Sequence, residues 1–136
     1  MNERRDFIKQ SLTVAVGMMI GSSTEVFAFT RDFPSGLIYT IQNPGRWSKN
    51  AKENAPIITL EGKKVNIYTP HPMTVKHYIV RHTLVTEDGK VMGEKTFYPD
   101  ELSASSTYEL TEEPKSTLYA TSFCNLHDLW VTELKL

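Results

Sequence analysis

The sequence predicts an all-β domain over residues 29–136, an immunoglobulin-like antiparallel β-sandwich of about seven strands. Three observations predict it. Short runs rich in β-branched and aromatic residues recur along the chain, and most alternate apolar with polar positions. Turn signals such as Glu61-Gly62 and Glu87-Asp88-Gly89-Lys90 separate those runs. Beyond residue 30 no long stretch carries the 3.6-residue periodicity of an amphipathic helix, so two packed sheets are the economical way to bury the apolar faces.

The chain opens differently. Met1 to Thr30 reads MNERRDFIKQSLTVAVGMMIGSSTEVFAFT, with an arginine pair at Arg4-Arg5, then Phe7 and Lys9. An apolar run follows from Leu12 to Ile20, and Val26-Phe27-Ala28 places small residues where a signal peptidase reads. The run is too short to span a bilayer comfortably. This order of charge, apolar stretch and Ala-ending site resembles a bacterial twin-arginine export signal over residues 1–28. It implies delivery to the periplasm as a folded protein, with no stable membrane span once the segment is cleaved.

Next comes a stretch rich in Asn, Pro, Gly, Lys and Ser, residues 42–56, which reads as a long surface loop. PIITL (56–60) and KKVNIYT (63–69) flank Glu61-Gly62 as the first hairpin, with Val65, Ile67 and Thr69 on one face. VKHYIVRHTLV (75–85) and VMGEKTFY (91–98) form the next pair. In a regular strand His77, Ile79 and Arg81 lie opposite Tyr78, Val80 and His82. STLYATSF (116–123) and LWVTELKL (129–136) close the domain around CNLH (124–127).

The 136 residues suffice for one domain with a core, and the formal net charge of −1 gives no electrostatic case for nucleic acid or an acidic membrane surface. Cys124 is the only cysteine, so an intrachain disulfide is excluded, and the thiol is buried filler, a redox group or a metal ligand.

Two short motifs carry the candidate chemistry. PHPMTVKHYI contains His71 and His77, and CNLH contains Cys124 and His127. Pro70 and Pro72 stiffen the backbone on either side of His71 and remove it from any strand ladder. A Cys-x-x-His loop at a strand end aims a thiolate and an imidazole at one point. Thiolate and imidazole suit Fe, Zn or Cu, and a carboxylate-poor set disfavours Mg and Ca. His82, turned from the His77 face, reads as a structural residue.

HPMTVKHYI followed much later by CNLHDLW resembles the iron domain of the superoxide reductases, the desulfoferrodoxin and neelaredoxin family, over roughly residues 50–136. The resemblance implies a mononuclear non-haem iron, Fe2+/Fe3+, with His71, His77 and His127 as equatorial ligands and Cys124 as the axial thiolate. It implies one-electron reduction of superoxide to hydrogen peroxide, fed by an external electron donor protein or a small reductant, and a possible homo-oligomer. Where the family has Glu-Lys-His before a Pro-containing strand, this chain has Lys52-Glu53-Asn54. The resemblance therefore assigns catalytic roles to Lys52, which supplies positive charge near the incoming anion, and to Glu53, in reversed order, and puts Asn54 in place of the fourth equatorial histidine. Asp128 replaces the family's glycine after the last histidine, and Asp tolerates the left-handed conformation such a position requires. Two other readings fit the residues. A cupredoxin-like electron carrier also uses two histidines and a cysteine, although no Met follows His127 as an axial ligand. A sandwich that lost its chemistry along with the fourth histidine serves as a binding module.

Overall fold

The structure, a computed structural model, describes residues 33–136. The export segment expected over 1–28 lies outside the described residues.

Among the described residues eight strands form two sheets, the expected sandwich. They are β1 (Ile38–Tyr39), β2 (Ile57–Glu61), β3 (Lys64–Thr69), β4 (Ile79–Thr86), β5 (Val91–Thr96), β6 (Ala104–Glu109), β7 (Leu118–Cys124) and β8 (Asp128–Leu134). One sheet runs β1-β8-β7-β4-β5 and the other β2-β3-β6. All pairs are antiparallel except β1 on β8, a two-residue parallel addition at the edge. β6, ASSTYE, is the strand least visible in the sequence, because Ser106 is inward-facing yet polar.

The stretch read as a loop over 42–56 is in part helical. A 3-10 helix covers Gly45–Asn50, and a single α-turn, α1 (Ala51–Asn54), follows it without a break. Pro44 and Gly45 made the segment look like loop. Its apolar residues, Trp47, Ala51 and Ala55, pack instead with Tyr39 and Trp130 in a small core of their own.

The main core, with Ile58, Val65, Ile67, Leu84, Leu118 and Ala120, lies between the sheets. Val65, Ile67 and Thr69 alternate inward along β3 as expected. β4 departs from simple alternation. A register shift between Ile79 and Arg81 inserts an extra residue, so Ile79 and His82 both point inward. A bulge of this kind re-aims side chains at the end of a strand.

His82 is fully buried and structural, in a polar network joining the sheets. Its Nε2 lies 2.8 Å from Thr69 Oγ1 on β3, and its Nδ1 lies 2.8 Å from Ser106 Oγ on β6. Thr69 spends its single hydroxyl proton on Ser122 Oγ at 2.9 Å on β7. The His82 Nε2–H therefore donates to Thr69, and Nδ1 accepts from Ser106. Burial, with a smaller push from Lys95, lowers the His82 pKa to about 4. Between that value and the ordinary 6.5 the unfolded chain binds the proton and the folded chain does not, so stability falls as pH falls through this window. The full loss is about 3 kcal/mol. Urea melts of metal-free protein at pH 7.5 and 4.5 should show it, and His82→Gln should remove most of the difference between the two. An unchanged pH slope in that variant would assign the acid sensitivity to other groups.

Candidate metal centre

The inward row of β7 is Leu118, Ala120, Ser122 and Cys124, so the cysteine is the last residue of a core-facing stripe. It is buried in a cluster with Ile79, Phe97 and Ala104, with Met73 packed alongside. The chain then turns through residues 125–127 and re-enters the sheet at Asp128, which pairs with Cys124. Asp128 has φ 65°, the left-handed value expected of it, and is the sole non-glycine with positive φ among the described residues. This tight hairpin carries Cys124 and His127 to the end of the sandwich.

The other ligand loop joins β3 to β4. Thr69 ends β3, and the His71 N–H turns back to its carbonyl at 2.8 Å. His77, expected at the start of the strand, sits instead in a compact turn before it. Thr74 N–H donates to the His77 carbonyl at 2.9 Å, and the His77 N–H donates to Thr74 Oγ1 at 3.0 Å. Asn125 ties the two loops together. Its Oδ1 accepts from Tyr78 N–H at 3.0 Å, its Nδ2 donates to the Lys76 carbonyl at 3.0 Å, and its own N–H donates to the Tyr78 carbonyl at 3.2 Å. Asn125 is not among the residues the two motifs single out. Its position inside the Cys-x-x-His loop was the available signal.

The loops bring His71, His77, Cys124 and His127 together, with one donor atom from each and every pair of donors within 4.8 Å. His71 Nε2 is 2.9 Å from His77 Nε2, and His77 Nε2 is 3.1 Å from His127 Nδ1. Cys124 Sγ lies 3.3 Å from His71 Nε2 and 3.5 Å from His127 Nδ1. Donors at right angles around one ion, with bonds of about 2.1 Å to nitrogen and 2.3 Å to sulfur, stand roughly 3.0 to 3.1 Å apart. The two contacts between ring nitrogens, 2.9 and 3.1 Å, lie at that spacing, and the sulfur contacts of 3.3 and 3.5 Å are slightly wider.

Proton accounting points the same way. His71 Nδ1 is 2.6 Å from the Pro72 carbonyl, which fixes the proton on Nδ1 and leaves the Nε2 lone pair facing the cluster. That lone pair, two further ring nitrogens and a sulfur crowd one small volume, which a cation resolves. Burial lowers the pKa of both His71 and His127, and the neighbouring His77 adds to the effect at each. Both imidazoles are thus kept neutral and ready to ligate. Burial raises the Cys124 thiol pKa, so thiolate formation requires a positive partner.

Lys52 and Glu53 are both exposed on α1, which lies against β7. Glu53 is near enough for its charge to favour protonation of His71 and His127. Asn54 is 1 % exposed. Its Nδ2 donates to the Asn50 carbonyl at 2.9 Å, while its Oδ1 is buried with no hydrogen-bond partner. Trp47, also missed in the sequence, packs its ring T-shaped against His127 at a centroid distance of 4.7 Å.

Fold and site together define a β-sandwich with a sulfur- and imidazole-rich cluster of the kind that could hold one metal ion. The desulfoferrodoxin family pattern matches residues 48–133, and the chain belongs to that family. Solved structures agree. A neelaredoxin-type superoxide reductase from Ignicoccus hospitalis, in a form carrying one substitution, is 26 % identical, with 78 % of this chain and 98 % of that chain covered at a TM-score of 0.67. The one-iron superoxide reductase from Giardia intestinalis is 26 % identical, with 62 % and 99 % covered at 0.55. The superoxide reductase from Treponema pallidum is 27 % identical, with 62 % and 69 % covered at 0.52. No curated protein matches the chain.

Proposed function

We propose that the protein is a periplasmic superoxide reductase, reducing superoxide by one electron to hydrogen peroxide at a mononuclear non-haem iron held by His71, His77, His127 and Cys124. The observation that carries this reading is the convergence of three imidazole nitrogens and one thiol sulfur within 4.8 Å. Family membership supports the iron, and the likeness to solved superoxide reductases supports the substrate. Bound iron supplies the electron and a coordination position for the anion. The Cys124 sulfur, buried at the end of the core, offers electron-rich donation on a side closed to water. Exposed Lys52 draws a small anion toward the site, and Glu53, on the same helical turn, is a carboxyl within electrostatic reach of His71 and His127. Because the two share one turn, their reversed order does not send them to opposite faces. An external one-electron donor, protein or small reductant, returns the site to its reduced form. Among the described residues no helix is long and apolar enough to cross a membrane. Periplasmic delivery rests on the twin-arginine pattern of residues 1–28.

Asn54 differs from the imidazole that the resemblance implies, and its Oδ1, a hard oxygen donor, is buried with no hydrogen-bond partner. Purified protein supplied with iron should hold about one iron per chain. The oxidised form should show a thiolate-to-ferric band that superoxide restores stoichiometrically after reduction. Asn54→His should slow iron loss to a chelator by about tenfold or more, the scale of well-placed site residues. Preferential copper with an intense blue band would replace this reading with the electron carrier, and a stable fold that takes up no metal would replace it with the binding module.

A further inference from the structure

Asp128 occupies a backbone position that glycine takes without strain, at φ 65°. A non-glycine residue held there needs compensation from its surroundings, and the side chain shows what it is. Asp128 Oδ2 accepts from Trp47 Nε1–H at 2.9 Å and from Arg46 Nη2–H at 2.7 Å, groups more than eighty positions earlier in the chain. The Arg46 guanidinium in turn lies 4.7 Å from the centre of the Trp47 ring, which closes a cycle of three side chains. Trp47 has φ −100° and ψ 23°, off helical values, inside the 3-10 segment.

The cycle ends on a ligand. The Trp47 ring meets the His127 imidazole edge-on at 4.7 Å and 81°, while the His77 ring flanks it at 4.8 Å and 70°. His127 is only half-buried, so its ring has room to turn outward unless a wall holds it. Trp47 is that wall, and Asp128 fixes the wall from the residue next to the ligand. We propose that Asp128 is a positioning residue, clamping Trp47 through its carboxylate so that the His127 ring stays aimed at the metal centre. The proposal deepens the metal-site reading and rests on it for its consequence. Its geometric content stands on the protein alone.

The Arg46–Asp128 pair is exposed on both sides, so its direct electrostatic contribution is small. What matters is the acceptor for the indole N–H. Asp128→Gly keeps the left-handed backbone and removes that acceptor. Asp128→Asn keeps both and removes the charge.

The full-length protein and both variants should be titrated with Co2+, followed by its thiolate charge-transfer absorption, and metal-free samples compared by NMR. Asp128→Gly should weaken Co2+ binding by about tenfold or more. It should also shift the His127 ring protons as they lose the ring current of Trp47, while its metal-free melting temperature holds or rises. Asp128→Asn should restore both readouts to within about threefold of the parent affinity, the tolerance expected when geometry and not charge is at work. Unshifted His127 protons in Asp128→Gly, or equal losses in both variants, would overturn the clamp. If the parent protein bound no Co2+ but the proton shift appeared, the clamp would stand and the metal reading would fall.

Discussion

Cys124→Ser should abolish metal binding at the proposed centre. The sulfur is the one soft donor in the set, and its distances of 3.3 and 3.5 Å to two imidazole nitrogens place it in the shared coordination volume. A serine hydroxyl is smaller, harder and far less acidic than a thiol, so it does not ionise to meet the cation. Loss of a supporting residue around a metal typically costs 10–100-fold in affinity, and loss of this direct ligand is expected to exceed about 100-fold. The fold should survive, because the change removes little volume from a fully buried position. The new hydroxyl there costs about 1–3 kcal/mol if it finds no partner. Metal content after gel filtration and the thiolate-to-metal absorption are the readouts. Retention of that absorption at parental strength would show that the sulfur is not a ligand.

The second large effect is on stability. Trp130 is fully buried on β8, 5.5 Å from the Tyr39 ring between centroids, in the small core that also holds Ala51 and Ala55. Its Nε1–H donates to the His127 carbonyl at 2.8 Å, so one side chain both fills that core and braces the ligand loop. Trp130→Ala should destabilise the protein by about 3–5 kcal/mol, the usual range for emptying a buried aromatic position. Trp130→Phe keeps most of the packing and loses the bond to the loop, at about 1 kcal/mol for the bond itself. Urea denaturation of both variants separates the two contributions. Equal losses would mean that the hydrogen bond, not the ring, holds the position.

The sequence exposed the sandwich and the four ligands for different reasons. The strands were legible where burial alternates cleanly, as at Val65, Ile67 and Thr69, because period-two patterning records which face meets the core. The four candidate ligands were legible because cysteine and histidine are rare in this chain, one and four residues, and four of those five fall in two short motifs. What stayed hidden depends on contacts distant in sequence or on a single inserted residue. The face of His82 was not readable past the bulge before Arg81, since one extra residue exchanges inward for outward positions. The helical turns of residues 45–54 were masked by Pro44, Gly45 and neighbouring polar residues, and are held by packing on Trp130 more than by their own propensity. Trp47 gave no signal of its own and Asn125 only its place in the Cys-x-x-His loop, because their roles appear only once loops about eighty and fifty residues apart meet.

The four donors come from two hairpin-like loops separated by about fifty positions, and an ion held by all of them is a staple across that interval. A staple of this kind restricts the unfolded chain more than the folded one. Copies that have captured their metal should therefore resist proteases that digest copies that have not. Quality control of this protein would then need no receptor for the loaded form, since any broadly acting peptidase would cull the empty one.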